Sequence, residues 1–200
     1  MSVNTTTREP AAERLQRWRA LGQQGATLWF TGLPGAGKTT IASAVELRLI
    51  EAGRWAYRLD GDSLRQGLCS DLGFSRDDRK ANVDRVGQIA RLFADAGAIA
   101  IVALVSPYAR CREKVRELHE SQGLAFVEVF VNTPARECAR RDPKGLYARA
   151  HSGELSGLTG VDAPYEPPSS PELELTPELN VEAASDAVLG ALRDRQRELD

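Results

Sequence analysis

The sequence predicts an α/β protein of three layers, with a mostly parallel five-stranded sheet between helices and a mobile lid. Three observations carry this expectation. Gly32-Leu33-Pro34-Gly35-Ala36-Gly37-Lys38-Thr39 fits G-x-x-x-x-G-K-[ST], the pattern of a phosphate-binding loop. A short apolar, β-favouring run at 27–31 precedes it. A helical periodicity follows at 40–52, with Ile41, Val45, Leu47, Leu49 and Ile50 apolar, so strand, loop and helix come in the required order. Finally, residues 98–105 are continuously apolar, as suits a strand buried on both faces of a parallel sheet.

The loop has a clear physical reading. Its glycines let the backbone curl until successive N–H groups point at phosphate oxygens. The start of the next helix adds its dipole to the same anion. Residues 32–39 with Thr40 are therefore the expected nucleotide-binding segment of a P-loop NTPase. Lys38 bridges the β- and γ-phosphates, and the Thr39 hydroxyl holds Mg²⁺.

Composition narrows the class. Two hundred residues suit one domain with a substantial core. With 42% hydrophobic and 27% charged residues the chain is ordinary for a soluble globular protein. A net charge of −2 gives no basic surface for nucleic acid. Cys69, Cys111 and Cys138 are odd in number and form no C-x-x-C, so neither a zinc ribbon nor a disulfide framework is indicated. Thiols in a reducing cytosol are expected instead. No run reaches the ~20 apolar residues of a membrane span, and the N-terminus lacks a signal peptide's apolar centre. A cytoplasmic protein is expected, without nucleic-acid or membrane partners.

In chain order, residues 1–24 read as a flexible polar arm (1–10) and a short basic helix (11–21) leading into a glycine turn. Trp18 on that helix docks either on the core or on a second subunit. Residues 25–200 are expected to form one P-loop domain that carries the lid. A second strand at 54–59 ends at Asp60-Gly61-Asp62, and 63–68 is helix-like. Ser75 caps a helix with Asp77 and Asp78 in its first turn. That helix continues to Ala96, burying Val83, Val86, Ile89, Ala90, Leu92 and Phe93, and Gly97 ends it. The strand at 98–105 closes at Ser106-Pro107-Tyr108. An amphipathic helix (109–121), a fourth strand (125–131) and a short helix reaching Arg141 follow.

Residues 142–171 change character. Gly145, Gly153, Gly157, Gly160, Pro164, Pro167, Pro168 and Pro171 mix with Lys144, Tyr147 and Arg149. So long a stretch, with little regular structure after its first helical turn or two, is usually functional and reads as the lid. Its glycines serve either as hinges or as passive loop residues. A short fifth strand (173–175) and a closing helix (181–197) complete the chain.

The kind of P-loop protein is set downstream. No N-K-x-D reads guanine, and the one D-x-x-G, at 84–87, lies inside a helical pattern. The long apolar strand ends in Ser106-Pro107 rather than an acid, and the acids close the second strand instead, at Asp60 and Asp62. Strand carboxyl ends face the ligand crevice of a parallel sheet. These carboxylates can therefore approach Mg²⁺ or accept a proton from a substrate hydroxyl. A tight turn with helix capping by Asp62 is the competing reading. A small-substrate kinase is the class these features favour.

Several runs then resemble one family: Leu59-Asp60-Gly61-Asp62, Asp71-Leu72-Gly73-Phe74-Ser75 with Arg79 and Asn82, Ser106-Pro107-Tyr108, and Asp142-Pro143-Lys144-Gly145-Leu146-Tyr147. With Thr159-Gly160-Val161-Asp162 and Pro164-Tyr165-Glu166, these resemble adenylylsulfate kinase in order and spacing over about residues 25–175. The resemblance implies phosphorylation of adenylyl sulfate by ATP at the ribose 3′-hydroxyl, in sulfate assimilation or activation, with Mg²⁺ as cofactor. It implies substrate contacts from Asp62, Arg65, Phe74, Arg79, Asn82, Val105, Ser106, Lys144 and Leu158. Arginines suit bidentate contact with the phosphosulfate and Phe74 offers a stacking face for adenine. Asp62 is the candidate for positioning or deprotonating the 3′-hydroxyl, with Asp60 near Mg²⁺ beside Thr39. Arg141 either stacks on the ATP adenine or anchors the lid. Ser106 matches the position the family labels a phosphoserine intermediate; in-line transfer needs no covalent step, and such a serine also serves as ligand contact or helix cap.

The chain departs from the family pattern in places. Pro34, Ala36 and Thr39 stand where serines are common, and Ser63 and Gln66 replace a usual Asn and His. Leu158 stands where a Phe usually forms the second face of an adenine sandwich. The resemblance further implies a homodimer and leaves room for a sulfurylase partner. A kinase for another nucleotide or small alcohol, and a nucleotide-binding protein without catalysis, are the rival readings.

Overall fold

The computed structural model describes residues 10–199; the polar arm, except Pro10, lies outside the described residues. The elements are α1 (Pro10–Leu21), β1 (Ala26–Thr31), α2 (Lys38–Glu51), β2 (Ala56–Asp60), α3 (Gly61–Arg65), α4 (Arg76–Ala96), β3 (Ile99–Ala103) and α5 (Ala109–Glu120). They continue as β4 (Ala125–Val131), α6 (Ala135–Arg141), α7 (Leu146–His151), β5 (Leu173–Leu175) and α8 (Val181–Arg197).

The strands pair in the order β2-β3-β1-β4-β5, every pair parallel. β1 is the centre of the sheet, and β1, β3 and β4 are buried along their whole length. Strand alternation sorts their side chains into two cores. Leu28 and Phe30 pack with Ile41, Val45, Leu49, Val188 and Leu192 of α2 and α8. Trp29 packs with Val83, Val86, Ala90 and Val115 of α4 and α5 on the other face. Sheet between two helix layers is the predicted architecture, and fully parallel rather than mostly so. All carboxyl ends of the strands therefore open on one edge, where the glycine loop lies.

Three local differences bear on the site. β3 ends at Ala103 instead of 105: the Leu104 N–H still donates to the Phe30 carbonyl at 3.2 Å, but Ser106 takes φ 38° and turns the chain away. α3 begins at Gly61 instead of 63 because the Asp60 carboxylate, not Asp62, caps it by accepting from the Asp62 N–H at 3.0 Å. Gly61 fits where no side chain would, since a Cβ there would lie 2.8 Å from Leu104 Cδ2. On α4, Leu92 faces solvent, 50% exposed, while Asn82 and Gly87 join the buried face. The predicted stripe was too wide for a helix that packs through small residues: a Cβ on Gly87 would meet Val115 at 2.7 Å.

Trp18 docks on its own chain, its indole N–H donating to the Ala94 carbonyl at 3.2 Å. The three cysteines are free and buried. Among the described residues no helix is long and apolar enough to cross a membrane.

Candidate active site

The glycine loop curls because Gly35 and Gly37 take φ 77° and 108°, a region that side chains rarely tolerate. A Cβ on Gly35 would also press within 3.0 Å of the Cys138 carbonyl of α6. The curl folds the loop around Lys38 at the start of α2. The Lys38 Nζ donates to the carbonyls of Gly32 (2.9 Å) and Leu33 (2.8 Å) and is almost wholly buried. Burial pulls its pKa down to about 8. A buried ammonium satisfied only by carbonyls is a site prepared for an anion.

Beside it, the Thr39 hydroxyl donates to Asp60 Oδ2 at 3.2 Å. Asp60 also receives Arg58 Nη1 at 3.2 Å. This pair offers only hard oxygens, and the described residues hold no cluster of three or more acidic, His or Cys ligands. That donor set fits Mg²⁺, which usually takes one or two protein ligands and completes its shell with phosphates and water.

Asp62, in the first turn of α3, forms an ion pair with Lys144 of the 142–171 segment. Lys144 is presented there by Asp142, which is held at φ 27° and caps α7 through the N–H groups of Tyr147 (3.2 Å) and Ala148 (3.0 Å). The pair is exposed on both sides and adds little stability. Its value is in bringing a lid cation to the sheet-edge carboxylate.

The third group gathers at the start of α4. The Arg65 guanidinium lies 4.3 Å from the Phe74 ring centroid and that of Arg79 lies 5.6 Å away. Arg79 donates to the Phe74 carbonyl (2.9 Å) and reaches the lid at Thr159 Oγ1 (3.0 Å) and the Gly157 carbonyl (2.6 Å). Partial burial and the facing Arg65 both lower its pKa, only partly offset by Tyr108 and Asp162. Asn82 is 6% exposed and its Nδ2 has no hydrogen-bond partner. A buried amide left unpaired costs free energy unless a ligand satisfies it.

One cavity of about 600 Å³ unites these groups, a volume ordinary for a small-molecule site. Its walls include Pro34, Gly35, Gly37, Lys38, Thr39, Thr40, Asp60, Asp62, Arg65, Phe74, Arg79, Asn82, Val105, Ser106, Arg141, Lys144 and Leu158. Of the expected site residues, Gly32, Leu33 and Ala36 stand outside the wall. The first two supply the carbonyls under Lys38, and Ala36 lines a second cavity of about 310 Å³ that shares Gly37, Thr40 and Arg141 with the first. Arg141, tied to Glu137 at 2.9 Å, stands at the boundary.

The family model described as adenylylsulphate kinase matches residues 24–176, the stretch that carries all of these groups. The chain belongs to the adenylylsulphate kinase family. An adenylyl-sulfate kinase of Geotalea daltonii is 51% identical over 175 residues, covering 87% of this chain and 85% of that one. The Mycobacterium tuberculosis APS kinase CysC, in complex with AMPPNP and APS, superposes with a TM-score of 0.83 at 47% identity, over 86% of this chain and 99% of that one. A hexameric APS kinase from Thiobacillus denitrificans matches at 34% identity and TM-score 0.67, over 92% of this chain and 31% of its own.

Within this family's site, Ser106 is a constrained residue. It is nearly buried, its Oγ accepts from the Trp29 indole N–H at 3.1 Å, and its left-handed φ costs about 1–3 kcal/mol that the surroundings must offset. Leu158 is buried and packs into the larger core. Sequence reasoning missed Tyr147 as a site residue, although it ends a quoted motif: its hydroxyl donates to the Pro34 carbonyl at 2.9 Å, tying the lid to the glycine loop. It also missed Arg112, whose helical face carried no signal; only the fold places that guanidinium beneath Ser106.

Proposed function

We infer that the chain is an ATP-dependent adenylylsulfate kinase, transferring the γ-phosphoryl group of ATP to the 3′-hydroxyl of adenylyl sulfate. The observation that carries this reading is the single cavity joining a P-loop lysine to the Arg65–Phe74–Arg79–Asn82 group, within a chain of this family. The new O3′–P bond forms as the bond from the γ-phosphorus to the β,γ-bridging oxygen breaks, and ADP leaves. Asp62 takes the 3′-hydroxyl proton, and the Lys144 ammonium fixes the orientation of its carboxylate. Lys38 meets the β- and γ-phosphate oxygens. Thr39 and Asp60 would hold Mg²⁺, which neutralises phosphate charge when bound. Arg65, Arg79, Asn82 and Lys144 meet the acceptor's anion and sugar, while Phe74 and Leu158 contact its adenine. Arg141 stacks on the ATP adenine, supported by the second cavity it borders. Ser106 and Val105 form the wall beside the acceptor, and in-line transfer between the two nucleotides needs no covalent step through Ser106.

Residues 25–200 act as the catalytic domain, with 142–171 closing over both nucleotides to exclude water. A homodimer is proposed, supported by the exposed Trp55 and Tyr57 at the edge strand β2 with Leu92 also exposed on α4. A sulfurylase supplying adenylyl sulfate is the proposed partner, and the three free thiols favour a cytoplasmic location.

The test is ADP release from MgATP with and without adenylyl sulfate, on the wild type and on Asp62→Ala. Release that requires adenylyl sulfate, and falls ~10²–10⁴-fold in the variant, is expected. Activity retained by the variant would remove Asp62 as the base. Release driven by another nucleotide or alcohol, or none from protein that binds ATP, would overturn the substrate assignment.

A further inference from the structure

The lid's far end is fastened to the acceptor side of the cavity at Tyr165 and Glu166. Glu166 directs each of its polar groups at residues 107–112. Its N–H donates to the Pro107 carbonyl at 2.8 Å. Its carboxylate accepts from the Ala109 N–H at 2.8 Å, at the first residue of α5. Its own carbonyl accepts from Arg112 Nη2 at 2.8 Å. α5 needs that cap from outside, because Tyr108 at its N-cap makes no side-chain capping bond. A carboxylate at a helix N-terminus also complements the dipole.

Arg112 carries the connection inward. It is almost wholly buried, held by Glu128 at 2.6 Å, and its Nη1 donates to the Ser106 carbonyl at 2.7 Å. The same guanidinium therefore grips the lid end and the strained residue that lines the cavity. Tyr165, next to Glu166, lies 5.8 Å below it and bonds to Thr31 Oγ1 (3.0 Å), which in turn donates to the Val105 carbonyl (2.8 Å). Residues 105–107 and 165–166 are thus linked on both sides of the turn. At the other end of the lid, the contacts run to the glycine loop through Tyr147 and to Asp62 through Lys144.

We propose that Glu166 is a positioning residue for the acceptor: it locks the lid's C-terminal end to residues 105–109, so that lid and acceptor wall are set as one unit. This rests on the kinase reading above. Glu166 touches neither nucleotide in that reading, and its side chain is exposed, so replacing it leaves the core intact.

The test compares the wild type with Glu166→Ala and Glu166→Gln in the ADP-release assay, together with amide hydrogen exchange of residues 105–112 and 158–168. Glu166→Ala is expected to raise the KM for adenylyl sulfate about tenfold, the loss of one charge-assisted hydrogen bond, with the KM for ATP within about twofold. Glu166→Gln keeps an accepting oxygen and restores most of the difference. In Glu166→Ala both peptides exchange faster together, whatever the turnover. Equal changes in both KM values, a lowered melting temperature with unchanged KM values, or exchange that rises in only one peptide would each overturn the inference. A wild type whose ADP release ignores adenylyl sulfate would instead sink the kinase reading, and the paired exchange would still judge the clamp.

Discussion

Lys38 is the residue where burial and function pull against each other. Its ammonium sits among carbonyls, out of water, with its pKa near 8 rather than the usual 10.5. Triphosphate oxygens favour the charged form, so nucleotide binding must raise that value and take up a proton where free Lys38 is partly neutral. ATP affinity is therefore expected to be flat below pH 8 and to weaken by up to about tenfold per pH unit above it. Calorimetric titration from pH 7 to 9.5 reads this directly; a Kd constant across that range would refute it. Leu158 gives a second prediction. Leu158→Phe adds an aromatic face worth ~0.5–1.5 kcal/mol, lowering the KM for adenylyl sulfate roughly two- to tenfold. A KM equal to that of the wild type would show that apolar contact alone suffices. Roles like these were legible in the sequence because motif spacing fixes both chemistry and place. The unpaired Nδ2 of Asn82 was not, since burial on α4 depends on partners that pack from far along the chain.

At the scale of elements, the sequence located strands and helices well and their ends less well. Hydrophobic period reports a helix or strand interior, whereas an end is decided by side-chain caps and by what the neighbouring segment allows. β3 stops early because Trp29 and Arg112, on other elements, hold Ser106 out of the sheet. α3 starts early because Asp60, a candidate Mg²⁺ ligand, also caps the helix. The lid anchors Tyr147 and Glu166 were invisible for the same reason. Burial drives the Tyr147 phenol's pKa well above the ordinary value, so it donates to Pro34 at any working pH. Tyr147→Phe removes that bond and keeps the ring packing. The lid should then close less completely over ATP, giving a severalfold rise in ADP release without acceptor as water gains access. Unaltered background hydrolysis would mean that the bond does not govern closure.

For the whole molecule, the acid limit of stability is expected to trace to one imidazole sealed beneath the central strand. His119 is fully buried, with Nδ1 2.7 Å from the Val115 carbonyl and Nε2 2.9 Å from Thr27 Oγ1. The carbonyl fixes the proton on Nδ1, leaving Nε2 to accept from the Thr27 hydroxyl. Its ring lies 5.1 Å from that of Phe126. It thereby joins α5 to β1 and β4. Burial lowers its pKa from 6.5 to about 4. The unfolded chain binds a proton from about pH 6.5 downward and the folded chain only near pH 4. Stability is therefore full above pH 6.5 and declines as pH falls toward 4, by about 3 kcal/mol on the usual conversion of ~1.4 kcal/mol per pKa unit. The carboxylates follow at lower pH. Burial raises the pKa of Glu172, but its bonds to Arg116 and to the Glu128 N–H outweigh that, so its contribution disappears only below the ordinary carboxylate range. Urea unfolding at pH 7, 5.5, 4.5 and 3.5 separates the two windows. His119→Gln keeps one donor and one acceptor but cannot titrate. It should lose some stability at pH 7 and show a flatter decline between pH 6.5 and 4.5 than the wild type. Parallel declines in the two proteins would move the acid limit from His119 to the carboxylates.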